Sequence, residues 1–151
     1  MNLSKLYTMV NIRFIKAEET YPIRREVLRK NIDLPYKLAG DHADDTIHLG
    51  VYLDNELVSI VTLIKKSNGE RNGEQFQLRG MATLPKYRGK GYGKLLALKS
   101  EEYLIGINIH KIWCNARVEA LGFYKSLNYS VLGEAFMIPK IGMHYLLFKD
   151  F

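Results

Sequence analysis

A chain of 151 residues with 47% apolar content has the length of one domain, 1–151, and enough apolar side chains for one core. Its formal charge of +6 favours an anionic partner, and its single cysteine, Cys114, excludes a disulfide framework or a thiolate metal cluster, which fits a reducing, cytoplasmic setting. Neither a signal-type apolar region at the start nor an apolar run long enough to span a bilayer is present, so a soluble protein with no membrane partner is expected.

Asn11 to Lys16 reads as a short strand. Thr20 followed by Pro22 reads as a helix start, with Ile23 and Val27 one turn apart on a helix from Tyr21 to Lys30. Asn31 to Asp45, with Pro35, Gly40 and clustered acids, reads as a loop, with or without one short helix inside it. Ile47, Leu49, Val51 and Leu53 alternate with polar or small residues, the period of a half-buried strand. Asp54-Asn55 is a turn signal, and Leu57 to Ile64 is apolar enough to be a central strand covered on both faces. After the polar hairpin loop Lys65 to Glu74, alternation puts Phe76, Leu78, Gly80 and Ala82 on one face of a strand and Gln77, Arg79, Met81 and Thr83 on the other.

Pro85 ends that strand. A helix opens at Gly91 or Tyr92 and runs to Ile105, with Gly106 closing it, and its apolar stripe of Tyr92, Leu95, Leu96 and Tyr103 is interrupted by Lys99. Lys111 to Asn115 is a strand, and Val118 to Leu127 a helix with Ala120, Phe123, Tyr124 and Leu127 on one side. Tyr129 to Leu132 and Tyr145 to Lys149 are two further strands around a loop at Pro139 and Gly142. The order β, α, three antiparallel β, α, β, α, β, β is that of a mixed α/β or α+β sheet with helices on both faces.

The chemistry concentrates in Tyr87 to Leu96, YRGKGYGKLL, where Gly89, Gly91 and Gly93 occupy alternate positions just before a helix. A P-loop needs four residues between its glycines and a hydroxyl after the lysine, and Leu95 stands at that hydroxyl position. A dinucleotide fingerprint needs a third glycine where Lys94 or Leu96 stands. What remains is a strand-turn-helix unit whose bare N–H groups and helix dipole suit a pyrophosphate, with Lys86, Arg88, Lys90 and Lys94 around it.

With those residues in view, the chain resembles the GNAT superfamily of acyl-CoA-dependent N-acyltransferases. Arg88, Gly91 and Gly93 match its [QR]-x-x-G-x-[GA] signature, and NARVEALGFYKSLNYSVLG resembles the later motif in which a helix ending in an aromatic pair leads into a strand. The tail GEAFMIPKIGMHYLLFK resembles the ending of some bacterial members. The resemblance implies a mixed, mostly antiparallel sheet of about six or seven strands with helices on both faces. It also implies acetyl, or other acyl, transfer from acetyl-CoA to a primary amine of a small molecule or protein, without metal.

By the same resemblance, Arg88, Gly89, Lys90, Gly91, Tyr92 and Gly93 hold the pyrophosphate. The backbone of Met81, Ala82 and Thr83 pairs with the pantetheine arm and supplies an N–H to the thioester carbonyl. Tyr124 matches the family's tyrosine and is the general acid for the leaving thiolate, although its helix face alone would make it a core residue. Asn115 faces the cofactor cleft, and Arg117, where many members have asparagine, either pairs with a cofactor phosphate or caps local structure. Gln77, Arg79 and His144 are candidates for the acceptor side; Arg79 suits either an acidic acceptor or a sheet-edge ion pair.

The strand position where several relatives carry a glutamate is Gln77 here, so no general base is identified. That gap supports an alternative, a CoA-binding or sensing module without efficient turnover. A nucleic-acid-binding domain is disfavoured, since no stacking aromatics or recognition helix accompany the basic residues. His42 and His48 show no partner pattern, and the oligomeric state is open, a homodimer included.

Overall fold

In the computed structural model, which describes residues 9–151, seven strands form one sheet in the order β1-β2-β3-β4-β5-β7-β6. They are β1 (Val10–Phe14), β2 (Ile47–Leu53), β3 (Glu56–Lys65), β4 (Phe76–Thr83), β5 (Lys111–Arg117), β6 (Ser130–Ile138) and β7 (Gly142–Asp150). All neighbours are antiparallel except β4 and β5, whose parallel pairing needs the crossover helix α2 (Tyr92–Gly106). Helix α1 (Ala17–Ile23) covers one face, where Ile23 packs with Ile60 and Ala82. Helices α2 and α3 (Leu121–Ser126) contribute Leu96, Leu104 and Tyr124 to the larger cluster on the other face. At six residues α3 is far below the ~12 needed for an isolated helix, so tertiary packing of Tyr124 holds it. The architecture is the α/β mixed sheet that the element order implies.

The N-terminal helix differs from its expected span. It starts at Ala17, because Glu19 accepts the Lys16 N–H at 2.6 Å through its side chain while its own N–H donates to the Lys16 carbonyl. Thr20 is no helix start but a buried residue whose hydroxyl donates to the Ala17 carbonyl. Pro22 lies inside the helix, where it cannot donate to the preceding turn, and one π-helical turn follows at Arg24–Leu28, closed by Arg29 N–H to Arg24 O at 3.0 Å. Residues 31–45 form turns and no helix.

The face assignment on β4 also needs correction. Ile60 pairs with Ala82 but Thr62 with Arg79, so Gly80 and Met81 together oppose Val61 in a bulge, with Gly80 at φ +60°. The extra residue reverses the alternation: Met81 packs with Phe76 and Leu78, while Ala82 turns to the α1 side. In α2 the buried stripe is Leu96, Ala97, Ser100 and Leu104; Leu95 is exposed, and Lys99 pairs with Glu102 at 3.2 Å near the surface. The expected loop around Pro139 is a hairpin turn between two strands of nine residues each, longer than the alternation alone predicts. No helix among the described residues is long and apolar enough to cross a membrane.

Candidate active site

The parallel pairing of β4 and β5 extends only over Phe76 with Ile112 and Gln77 with Trp113. Beyond these two pairs the strands diverge, β5 remaining bound to β7, and a cavity of about 360 Å³ opens between them. From Leu78 to Ala82, β4 is paired to β3 alone, so its β5-facing N–H and C=O groups lack strand partners. Such an edge suits an extended ligand carrying amides of its own.

The structure brings Gln77, Arg79, Met81 and Arg88 together on this cavity with Asn115, Arg117, Tyr124 and His144. It does not bring in the side chains of Ala82, buried against Ile23 and Ile60, or Thr83, whose hydroxyl is 2.7 Å from that of Ser59. Those two can contribute through backbone only. Of the predicted pyrophosphate loop only Arg88 lines the cavity; Gly89, Lys90, Gly91, Tyr92 and Gly93 follow it into α2 without lining it. Pro85–Tyr87 forms a 3-10 turn fastened by the Tyr87 hydroxyl, which donates to Glu56 at 2.6 Å.

The three glycines divide their work. Gly89 and Gly91 have φ of +75° and +87°, and an added Cβ would meet nothing within 4 Å, so conformation and not space demands glycine. At Gly93 a Cβ would lie 3.3 Å from Phe123 Cζ and 3.8 Å from Met81 Sδ, so close packing demands it. Gly91 caps α2, leaving the N–H groups of Tyr92, Gly93 and Lys94 without intrahelical acceptors, and no acidic residue sits in the first turn. Lys90 and Gly91 are exposed there. Bare donors, dipole and cationic rim coincide, and the residues present fit a pyrophosphate.

Deeper in, Tyr124 is 6% exposed, with its ring 5.0 Å from Phe123 and 5.3 Å from Tyr129. Burial, reinforced by the neighbouring Cys114, holds its pKa well above that of an ordinary phenol. Its hydroxyl has no hydrogen-bond partner among the described residues. Cys114 also lines the cavity, and burial pushes its thiol up to about 12, so it is no thiolate nucleophile at neutral pH. His144 is buried, and its Nδ1 donates to the Gly142 carbonyl at 2.7 Å, which leaves Nε2 as the basic nitrogen of the neutral ring. Gln77 Oε1 is buried without a partner, and Glu74 is outside, paired with Lys65 at 3.1 Å.

Sequence reasoning missed the floor of the site. Arg24, buried beside Gly80, donates to both oxygens of Asp41 at 2.8 and 2.9 Å and to Thr62 Oγ1 at 2.9 Å. His48, far from lacking partners, lies 2.8 Å from Thr62 Oγ1 through Nδ1 and 2.9 Å from the Asp41 carbonyl through Nε2. These four residues come from four different segments, the π turn, the loop after it, β2 and β3, and no local pattern could have linked them. Tyr36, Leu38, Ile138 and Ile141 add apolar wall from the long loop and the last hairpin. The alternative of a sheet-edge ion pair for Arg79 does not hold: among the described residues no carboxylate lies within ion-pair distance of it. No group of three or more metal-ligating side chains occurs among the described residues.

Comparison with known proteins agrees with this geometry. Residues 5–129 match the model of the Acetyltransferase (GNAT) family. The chain is 37% identical over 143 residues to the uncharacterized N-acetyltransferase YitI of Bacillus subtilis (strain 168), covering 93% of this chain and 96% of that one. Escherichia coli ElaA has a similar fold, with a TM-score of 0.78 at 17% identity over 94% of this chain and 100% of that one. An acyl-CoA N-acyltransferase from Pseudomonas aeruginosa gives 0.76 at 15% identity over 95% and 100%. The glycine loop, the splayed strands and the family match converge on one assignment: the chain is an acyltransferase and belongs to the GNAT acetyltransferase family.

Proposed function

We propose that the chain transfers an acyl group, acetyl in the first instance, from coenzyme A to a primary amine by direct attack on the thioester. The observation that carries the reading is the cleft between β4 and β5, lined by Arg88 at the start of the glycine loop together with Tyr124 and His144. Gly89 to Lys94 would hold the pyrophosphate, with Arg88 beside it, and the free edge of β4 would receive the pantetheine amides. The thioester supplies the activated carbonyl. The N–H groups at the Gly80–Met81 bulge are fixed donors for the oxygen as charge develops there. The Cys114 thiol stays protonated, which disfavours a covalent acyl-enzyme and supports one-step transfer.

In this reading Tyr124 gives a proton to the departing thiolate, and His144 Nε2 takes one from the acceptor's ammonium so that the neutral amine attacks. Neither role requires the missing glutamate at Gln77. His144→Gln is expected to lower kcat at least about tenfold with acetyl-CoA affinity unchanged, and added imidazole should restore part of it. An unaffected kcat would return the proton to water or to the bulk.

Titration calorimetry with acetyl-CoA tests the cofactor site. Wild-type protein should bind it, and Gly91→Val, which forces a β-branched residue to φ +87° at a cost of roughly 1–2 kcal/mol, should bind it more weakly. A wild-type protein that shows no heat at high micromolar ligand is not using this cleft for coenzyme A. No carboxylate among the described residues lines the cavity, which supports a second reading, coenzyme A binding without turnover. Thiol release with any amine separates the two.

A further inference from the structure

We infer that the inner end of the cavity is built for a small amine that carries a carboxylate, so that the acceptor is an amino acid or a compound like one; this rests on the acyl-transfer reading above. Five arginines, Arg24, Arg29, Arg79, Arg88 and Arg117, line the cavity, and among the described residues no aspartate or glutamate does. Two of the five are accounted for. Arg24 is neutralised by both oxygens of Asp41, and Arg88 is exposed toward the glycine loop, its Nε donating to the Thr83 carbonyl at 3.3 Å.

The other three have no counter-charge among the described residues. Arg29 donates to the carbonyls of Pro35 and Leu28 at 2.9 and 3.1 Å, and Arg117 reaches the same Leu28 carbonyl at 3.2 Å from β5. That bond places Arg117 against the π turn, on the acceptor side. Arg79 projects from β4, half-buried, with neither a hydrogen bond nor an ion pair among the described residues. The three share one field: burial, then Arg117, Arg79 and Arg24 in turn, hold the Arg29 guanidinium below its ordinary pKa.

Partly desolvated like charges are costly, and the carbonyls that Arg29 and Arg117 bond are neutral, so those bonds leave the net positive charge uncompensated. An incoming anion resolves the cost. Guanidinium planes favour the two oxygens of a carboxylate, and the apolar wall from Tyr36, Leu38, Ile138 and Ile141 suits a small organic body attached to it. A polyamine would bring more positive charge against the same three groups and would be rejected.

The test measures thiol release from acetyl-CoA with free amino acids, the corresponding amino-acid amides and decarboxylated amines, and spermidine, alongside calorimetric binding of acetyl-CoA. Carboxylate amines are expected to show kcat/KM about tenfold or more above their uncharged counterparts. Arg79→Gln and Arg117→Gln should raise KM for those substrates with kcat and acetyl-CoA affinity little changed, and Arg79→Lys should keep part of the preference. Spermidine or the amides serving as well as the amino acids would overturn the inference. So would KM values that the arginine replacements leave unmoved, or acetyl-CoA binding with no carboxylate amine accepted. No binding of acetyl-CoA at all removes acyl transfer itself, a distinct result that takes the acceptor with it.

Discussion

Tyr124→Phe is expected to lower kcat about 100-fold or more while acetyl-CoA binds as before. The substitution removes one oxygen from a residue whose ring is otherwise fixed by Phe123 and Tyr129, so packing and the cofactor cleft are kept. The size of the effect follows from where the proton is stored. Burial holds the phenol well above its ordinary pKa, so the hydroxyl is protonated throughout the neutral and mildly alkaline range. A thiolate leaving into a low-dielectric cleft has few other donors: the Cys114 thiol is buried and its proton is held even at high pH. Tyr129 is the control. Its hydroxyl is also buried and without a partner, but it does not line the cavity, so Tyr129→Phe should leave kcat intact. Equal kcat for wild type and Tyr124→Phe, by a thiol-release assay, would make Tyr124 a packing residue only.

Asp41→Ala is expected to destabilise the fold by about 3–5 kcal/mol, read from denaturant or thermal unfolding, because it strands Arg24 as an uncompensated buried charge. Against a typical total of about 5–15 kcal/mol this is severe. Combining it with Arg24→Met removes the stranded charge and should recover much of the loss; a double mutant no better than Asp41→Ala would show that the pair is not the cause. The same network sets an acid dependence. Burial alone would raise the Asp41 pKa, but hydrogen bonds from Arg24 and the Leu38 N–H, with the Arg24 and His48 charges, bring it below the ordinary carboxylate range. Burial lowers the pKa of His48, against the opposing effect of Asp41. Both groups therefore bind protons more readily in the unfolded chain. Their contributions are complete above the ordinary imidazole value of about 6.5 and are lost as pH falls, first through the histidine and then below the carboxylate range. The melting temperature should fall steadily on acidification from neutral pH, and less so in the double mutant.

What the sequence made legible was local. The glycine loop, the strand before it and the helix after it form one continuous stretch, Phe76–Gly106, and the spacing within it is enough to separate a pyrophosphate cradle from the two nucleotide patterns it superficially suggests. Alternation located most strands and helical spacing the face of Tyr124, although only the family resemblance distinguishes that tyrosine from a core residue. The bulge at Gly80 could not be read, since a glycine at an alternating position looks like any other strand residue; the shift exists only relative to β3. The partnership of Arg24 with Asp41, Thr62 and His48 was equally hidden, because each residue taken alone is an ordinary polar residue in a different segment. Arg79 shows the reverse case. Its type was visible, but the lack of an ion partner is a fact of three dimensions.

The two residue pairs that join β4 to β5 bear on the fold as a whole. The sheet is an antiparallel meander, residues 10–83, beside a three-stranded antiparallel unit of order β5-β7-β6, residues 111–150, with α2 as the bridge between them. Within each unit, neighbouring strands are bonded along most of their length; between the units the ladder has only those two rungs. The gap between them was not hollowed out of a finished core, since the strands part where their pairing ends. A segment laid along the free side of β4 would take the place of the missing rungs, as an eighth strand supplied from outside the chain.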